Sequence, residues 1–358
     1  MLPGVAKRVV LHIGAMKSGT SFIQNVLHQN RSRLAEHDLR FACDRWRHQV
    51  LAVRDLMAHG GPKQAPLAPD GHWQQLVDDV HAWPGTAIVS MEFLGPRNRA
   101  KIDLVREAFA DADLQVVLTA RDLARSLPSM WTESMQNRGV KSWDEFLEAV
   151  RSEDLTSRPG RNFWRNQRIS EIAATWSEAV GRDHFTLITI PPRGAPPDVL
   201  WERFSEVAGI PRGLCDLDVR SNPGLDAASA LVLRSVNERL TEHGFDRQEY
   251  ERVVKGMLAK QGLVRRGRET VPLGIDERWV RRKSRDELDR LRALDLRVVG
   301  DLEELAADKV PGVHTRKVTA EQQLEAAVDG LVFLLERLMK PPAVPTGTTG
   351  APDREDDE

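Results

Sequence analysis

Four short apolar runs constrain this chain most: residues 9–13, 87–91, 114–120 and 185–190. Each is apolar at nearly every position rather than at alternate ones, so a strand built from it must be covered on both faces. The runs are separated by helical spacing at 21–36, 102–110, 143–151 and 166–180. Strand and helix in alternation predict an α/β fold, a parallel sheet flanked by helices in three layers. Sheets of that kind take their ligands beyond the carboxyl ends of the strands.

The first run passes into Gly14-Ala15-Met16-Lys17-Ser18-Gly19-Thr20-Ser21, a turn rich in Gly, Ser and Thr with one lysine, and then into an amphipathic helix. A turn of this type aims backbone N–H groups and the positive end of a helix at an anion. It is P-loop-like without being the nucleotide-triphosphate P-loop. In that motif lysine follows the second glycine, whereas here Lys17 precedes Ser18-Gly19. The order Lys-Ser-Gly-Thr-Ser after a strand resembles the 5′-phosphosulfate loop of sulfotransferases that use 3′-phosphoadenosine 5′-phosphosulfate (PAPS). The third run ends at Arg121, and Ser129 follows eight positions later on the next predicted helix. That pair resembles the family's 3′-phosphate site, since arginine can fork two donors onto a phosphate and serine can add a hydroxyl.

The resemblance covers roughly the first two hundred residues and is specific only at these segments and at the carboxylate below. It implies that Lys17, Ser18, Gly19, Thr20, Ser21, Arg121 and Ser129 bind PAPS as co-substrate. Lys17 would stand by the bridging oxygen and stabilise the leaving phosphate. The amides of 18–21 and the hydroxyls of Thr20 and Ser21 would cradle the 5′-phosphate, and no metal is required.

The second run ends in Ser90-Met91-Glu92. Cytosolic sulfotransferases use a histidine base; this sequence departs from that pattern and resembles the members with a glutamate at a strand end. Glu92 is therefore the expected catalytic base. Apolar neighbours Met91, Phe93 and Leu94 would raise its pKa. The competing reading has Glu92 capping the next helix or pairing with Arg97 or Arg99. His12, inside the first run, reads as a core histidine satisfied by a backbone carbonyl, with acceptor contact as the alternative.

A chain of 358 residues, 41% apolar, can bury a substantial core, and a net charge of −2 gives no reason to expect nucleic acid as partner. Cys43 and Cys215 read as buried free thiols. Charged Lys7-Arg8 lead straight into the first strand and no run reaches membrane length, so a cytoplasmic protein without membrane contact is expected. The organisation expected is a PAPS-binding core over 1–222, a helical extension over 223–340 and a disordered tail over 341–358.

Residues 40–85 read as a loop-rich insertion. Arg45, Trp46 and His48 are candidate acceptor contacts there, against a reading in which Trp46 packs and His48 is solvated. Helical spacing recurs at 225–243, 247–260 and 285–294, and Thr319-Ala320-Glu321-Gln322 has the form of a capping box. Beyond it Leu324, Ala327, Val328, Leu331, Leu335 and Leu338 form an apolar stripe, expected to pack on the core, with a homodimer interface as the second reading. The basic clusters at 265–268 and 281–283 read as solvated faces; from the resemblance, either could instead complete the 3′-phosphate site.

The function expected is sulfuryl transfer from PAPS to a hydroxyl or amine of a small-molecule or glycan acceptor. The alternatives are a P-loop-like nucleotide kinase or NTPase, or a nucleotide-binding protein without activity.

Overall fold

The computed structural model describes residues 6–59, 64–196, 198–219, 224–266 and 270–339. The tail over 341–358, the 222/223 boundary and Gly267-Arg268 of the first basic cluster lie outside them.

In chain order the described elements begin β1 (Arg8–His12), α1 (Thr20–Gln29), α2 (Arg31–Ala35), β2 (Leu39–Phe41), α3 (Trp46–Ala58), α4 (His72–His81), β3 (Thr86–Ser90), α5 (Arg99–Ala108) and β4 (Asp113–Ala120). They continue through α6 (Leu123–Gln136), α7 (Trp143–Arg151), α8 (Arg158–Gln167), α9 (Ile169–Val180), β5 (Phe185–Thr189), α10 (Asp198–Ala208) and α11 (Ala227–His243). A single turn, α12 (Arg247–Glu249), runs into a π-helical segment (Tyr250–Gly262); α13 (Arg278–Ala293), β6 (Arg297–Val299) and α14 (Ala320–Met339) follow.

The six strands form one sheet, parallel throughout, in the order β2-β3-β1-β4-β5-β6. Alternation along β1 explains the three layers. Val9 and Leu11, with Ile13 just beyond the strand, join a cluster with α3, α4, α5 and α9. Val10 points the other way, into a cluster with α1 and α10. A third cluster is helical and includes Trp131, Trp143, Phe163, Leu233 and Leu258. Local caps set where the helices start: Asn98 accepts from the Lys101 amide at α5, and Asp122 from the Arg125 amide at α6. Ser142 and Glu145 close a full capping box at α7.

The four apolar runs are β1, β3, β4 and β5. Two strands were not anticipated. β2 and β6 have three residues each, too few to show a period. Residues 40–85, expected to be loop-rich, contain β2 and the helices α3 and α4. Their amphipathic pattern is weakened by charged and polar residues, yet Val50, Val53, Leu56, Trp73, Leu76 and Val80 are buried. The C-terminal part is mainly helical, and it also returns β6 to the sheet edge.

Three further expectations need correction. The stripe of α14 does not pack on the core: Leu324, Val328, Leu331, Leu335 and Leu338 are exposed, and the helix rests on the body through Ala326 and Gly330 instead. Its capping box is formed, with Thr319 Oγ1 accepting from the Gln322 amide (3.2 Å) and Gln322 Oε1 from the Thr319 amide (2.9 Å). The basic clusters are not simply solvated. Arg266 is buried between Asp226 and Asp329, Arg281 pairs with Asp276, and Lys283 with Glu153. Trp46 does not pack but stands half-exposed at the start of α3, beside exposed Arg45 and His48.

Cys43 and Cys215 are free and buried. Among the described residues no helix is long and apolar enough to cross a membrane.

Candidate active site

β3, β1 and β4 are neighbours, and the chain leaves each at the same end of the sheet. The strand order reverses around β1, and in sheets of this kind ligands bind beyond the carboxyl ends at such a reversal. The three candidate residues Glu92, Lys17 and Arg121 follow those three strands.

The turn after β1 is bound tightly to β4. The Ala15 amide donates to the Thr119 carbonyl (2.8 Å), and the Thr119 amide to the Gly14 carbonyl (2.6 Å). Gln167 of α8 donates to the Met16 carbonyl (2.8 Å). Lys17 and Gly19 sit at positive φ, 64° and 80°. The hydroxyl of Ser18 turns inward, donating to the Ala15 carbonyl (2.5 Å) and meeting Thr119 Oγ1 (2.7 Å). Among the described residues no group accepts from the amides of Lys17, Ser18, Gly19, Thr20 or Ser21. Five consecutive donors are thus left at the start of a ten-residue helix, where an anion would satisfy them. Ser21 is exposed and Thr20 buried.

Arg121 reaches the same turn. Its Nη1 donates to the Lys17 carbonyl (3.2 Å), while its Nε is buried without a partner. Burial, and then the nearby guanidinium of Arg125, lower its pKa to about 10; Asp122 opposes this and Arg193 adds to it. Arg125 is already committed, to Asp122 and to the carbonyls of Pro191 and Ile190. The positive charge around Arg121 is therefore in excess, which is what a phosphate site requires. Ser129, half-buried on α6, has a hydroxyl that bonds to nothing among the described residues; no contact joins it to Arg121. Arg193, between β5 and α10, was not singled out from the sequence.

Glu92 lies across the turn from Lys17. A Cβ added to Gly14 would stand 3.1 Å from the Glu92 Cα, so only glycine lets the two strand ends approach this closely. Gly14 is also at φ 112°. Burial raises the Glu92 pKa, and the field of Glu133 adds to the rise. Its own backbone amide, the Gln24 side chain (donating at 3.2 Å) and Lys17 pull the other way. Glu92 caps nothing and pairs with neither arginine: Asn98 caps α5, and Arg99 is taken by Asp103 and Glu178. An elevated carboxylate is suited to accept a proton.

Lys17 Nζ stands 3.4 Å from Glu133 of α6. Glu133 in turn accepts from Asn137 (3.0 Å), and Lys255 of the π-helical segment donates to Asn137 (2.6 Å). This acid partner lies 116 positions along the chain, and nothing local in the sequence marks it.

Beneath both halves of the site runs a buried polar chain. His12, fully buried, shares hydrogen bonds with Ser90 Oγ (2.8 Å) and Thr119 Oγ1 (3.1 Å). Thr119 continues to Ser18 and to the Gly14 carbonyl (2.8 Å). Gln24 donates to the Ser90 carbonyl (3.0 Å) and to Glu92. His12 is thus a satisfied core histidine, held by two hydroxyls and by the Gly14 backbone, whose hydrogen bond opposes the effect of burial. Burial lowers its pKa to about 3.

Fold and site together define a P-loop-like α/β protein in which a turn with unsatisfied backbone amides lies beside a half-buried carboxylate, Glu92. No family model and no curated protein matches the chain. Among solved structures it is similar to a sulfotransferase from Alicyclobacillus acidocaldarius, with 16% identity and a TM-score of 0.41, over 69% of this chain and the whole of that one.

Proposed function

We propose that the chain is a PAPS-dependent sulfotransferase acting on a hydroxyl or amine of a small-molecule or glycan acceptor. One observation carries the reading: Arg121, with its unpartnered Nε, donates to the carbonyl of Lys17, the first of five residues whose amides have no acceptor among the described residues. That contact supports the reading that the arginine and the turn hold the two phosphate ends of one adenylate. The fit is chemical as well, since an excess of cationic and N–H donors calls for a polyanion.

PAPS, when bound, supplies the sulfuryl group. The amides of 17–21, with Thr20 and Ser21, hold its 5′-phosphate; Arg121 and Ser129 hold its 3′-phosphate. Lys17 neutralises charge on the leaving phosphate as the sulfur–oxygen bond breaks. Glu92 takes the proton that the acceptor oxygen or nitrogen gives up while its new bond to sulfur forms. Gln24 fixes the carboxylate's orientation, and Glu133 holds Lys17 in reach. As in phosphoryl transfer, alignment and charge neutralisation do most of the catalysis.

Titration calorimetry with 3′,5′-bisphosphoadenosine tests this directly. Saturable binding by the parent, and its loss in Lys17→Ala and Arg121→Ala, is the expected result. No heat at millimolar ligand would overturn the reading. Incubation with labelled PAPS and a cell extract, followed by mass spectrometry, then identifies the acceptor. Glu92→Gln should abolish labelling while leaving nucleotide affinity largely intact, and normal labelling would remove Glu92 from the base role. Turnover of ATP that stops with a chelator would instead support the kinase or NTPase alternative.

A further inference from the structure

The last described helix, α14, has two faces of opposite character. One is pressed onto the body: a Cβ at Gly330 would lie 2.9 Å from Leu258 and 3.1 Å from Leu263. Asp329 is tied to Arg266 at 3.0 Å. The other face carries Leu324, Val328, Leu331, Leu335 and Leu338, with Val332 and Met339 widening it, all between 46% and 79% exposed. These seven are most of the ten exposed large hydrophobic residues among those described. A continuous apolar stripe along about 22 Å of helix is the kind of exposed patch that marks an interaction surface.

The spacing of the first five is four, three, four, three. That is the a/d repeat of a helix–helix seam, with leucine at each d position and valine or leucine at a. Buried Ala326 falls at the f position and buried Gly330 at c, both away from the seam. The body and the seam therefore lie on opposite sides of α14, and a second helix can reach the seam without meeting the body there.

We infer that the seam is where a second copy of this chain docks, its α14 running antiparallel to the first. Charge selects both the occupant and the direction. Glu321 occupies an a position, so a parallel pair would set Glu321 against Glu321. In an antiparallel pair centred on the middle of the helix, Leu324 meets the partner's Leu335 and Val328 meets the partner's Leu331. Glu321 then lies level with the partner's Arg337, and the two helix dipoles oppose. The polar residues flanking the stripe, Glu321, Glu325 and Glu336 against Arg337, are mainly acidic, which disfavours an anionic bilayer as occupant. Residues 341–358 contain too few apolar side chains to cover the seam themselves. The inference does not depend on the enzymatic reading.

Sedimentation equilibrium of the full chain at tens of micromolar is the test. The expected mass is twice the 40.2 kDa of one chain. The double variant Leu331→Glu, Leu335→Glu should run as a monomer with an unchanged far-ultraviolet spectrum, since both side chains are exposed. Cross-linking tests direction and does not require the seam to be broken. Cys43 and Cys215 are buried, so introduced thiols stand out. Leu324→Cys mixed with Leu335→Cys should form a disulfide-linked pair, and neither variant should do so alone. A monomeric parent, a dimer that survives the double variant, or cross-linking of Leu324→Cys by itself would overturn the inference. So would a monomer that sediments with phosphatidylcholine–phosphatidylserine vesicles.

Discussion

An imidazole enclosed between two hydroxyls and a phenyl ring stays neutral well below the pH at which histidine ordinarily charges. His12 lies 5.4 Å from the Phe204 ring, has no exposed surface, and has its pKa pushed from 6.5 to about 3. The unfolded chain binds a proton at this residue below about pH 6.5, and the native protein does not until about pH 3. Stability from this group is thus complete at neutral pH and is lost as pH falls through that window. Between pH 6 and 4 the unfolding free energy of the parent should fall more steeply than that of His12→Gln, by up to about 1.4 kcal/mol per pH unit. Urea titrations at each pH measure the difference, and equal slopes would show that the native imidazole titrates normally. Glu92 has the opposite sign. Its raised pKa means that ionisation costs native stability at neutral pH, and the cost disappears as pH falls into the ordinary carboxylate range. Glu92→Gln should accordingly melt higher than the parent at pH 7–8 but not near pH 4. A variant that melts lower at pH 7–8 would show that the charged carboxylate is well satisfied. Both residues were visible in the sequence as members or ends of apolar runs. That Ser90 and Thr119 bond to His12 was not, because only parallel pairing of β1 with β3 and β4 brings those positions together, and Gln24 reaches Glu92 from α1, 68 positions away.

Where elements join, the turn after β1 was the most legible part of the site, because both glycines and the lysine fall within the six residues 14–19. The residues that hold it were not. Glu133 and Gln167 lie on helices far along the chain, and their sequence neighbourhoods carry no motif. Gly14 shows how much depends on this junction. It combines φ 112° with Glu92 backbone atoms about 3.1 Å from where a methyl group would sit. Gly14→Ala should lower the unfolding free energy by about 1–3 kcal/mol from backbone strain alone. It should also reduce turnover by displacing Glu92 relative to Lys17. A variant as stable and active as the parent would mean that β1 and β3 do not end in contact. For comparison, Ser142→Ala removes the capping hydroxyl of α7. It should cost about 1 kcal/mol with nucleotide affinity unchanged, since α7 contributes nothing to the site.

For the whole molecule, continuous apolar strands were enough to foresee a covered parallel sheet, whereas its edges were out of reach. β2 and β6 are three residues long and flank the sheet on opposite sides; at that length burial on one side leaves no pattern to read. The exposed stripe of α14 differs from the core packing expected for a related reason: an apolar stripe does not say whether its cover is the chain's own core or another molecule. The site and the seam make separate demands, and one measurement can tell them apart. A ligand bound only by the native state stabilises it by about 2.7 kcal/mol at a hundredfold excess over its Kd. The melting temperature with 3′,5′-bisphosphoadenosine should therefore rise by several degrees in the parent. The rise should vanish in Arg121→Ala, whose guanidinium faces the turn, and persist in Leu331→Glu, Leu335→Glu, whose substitutions lie on the solvent side of α14. It should be unaffected by a chelator, because the donors around the site are amides, hydroxyls and guanidinium groups. Loss of the rise in the α14 variant would show that nucleotide binding requires the paired chain, and a rise that disappears with the chelator would point to a metal-bound nucleotide in the site.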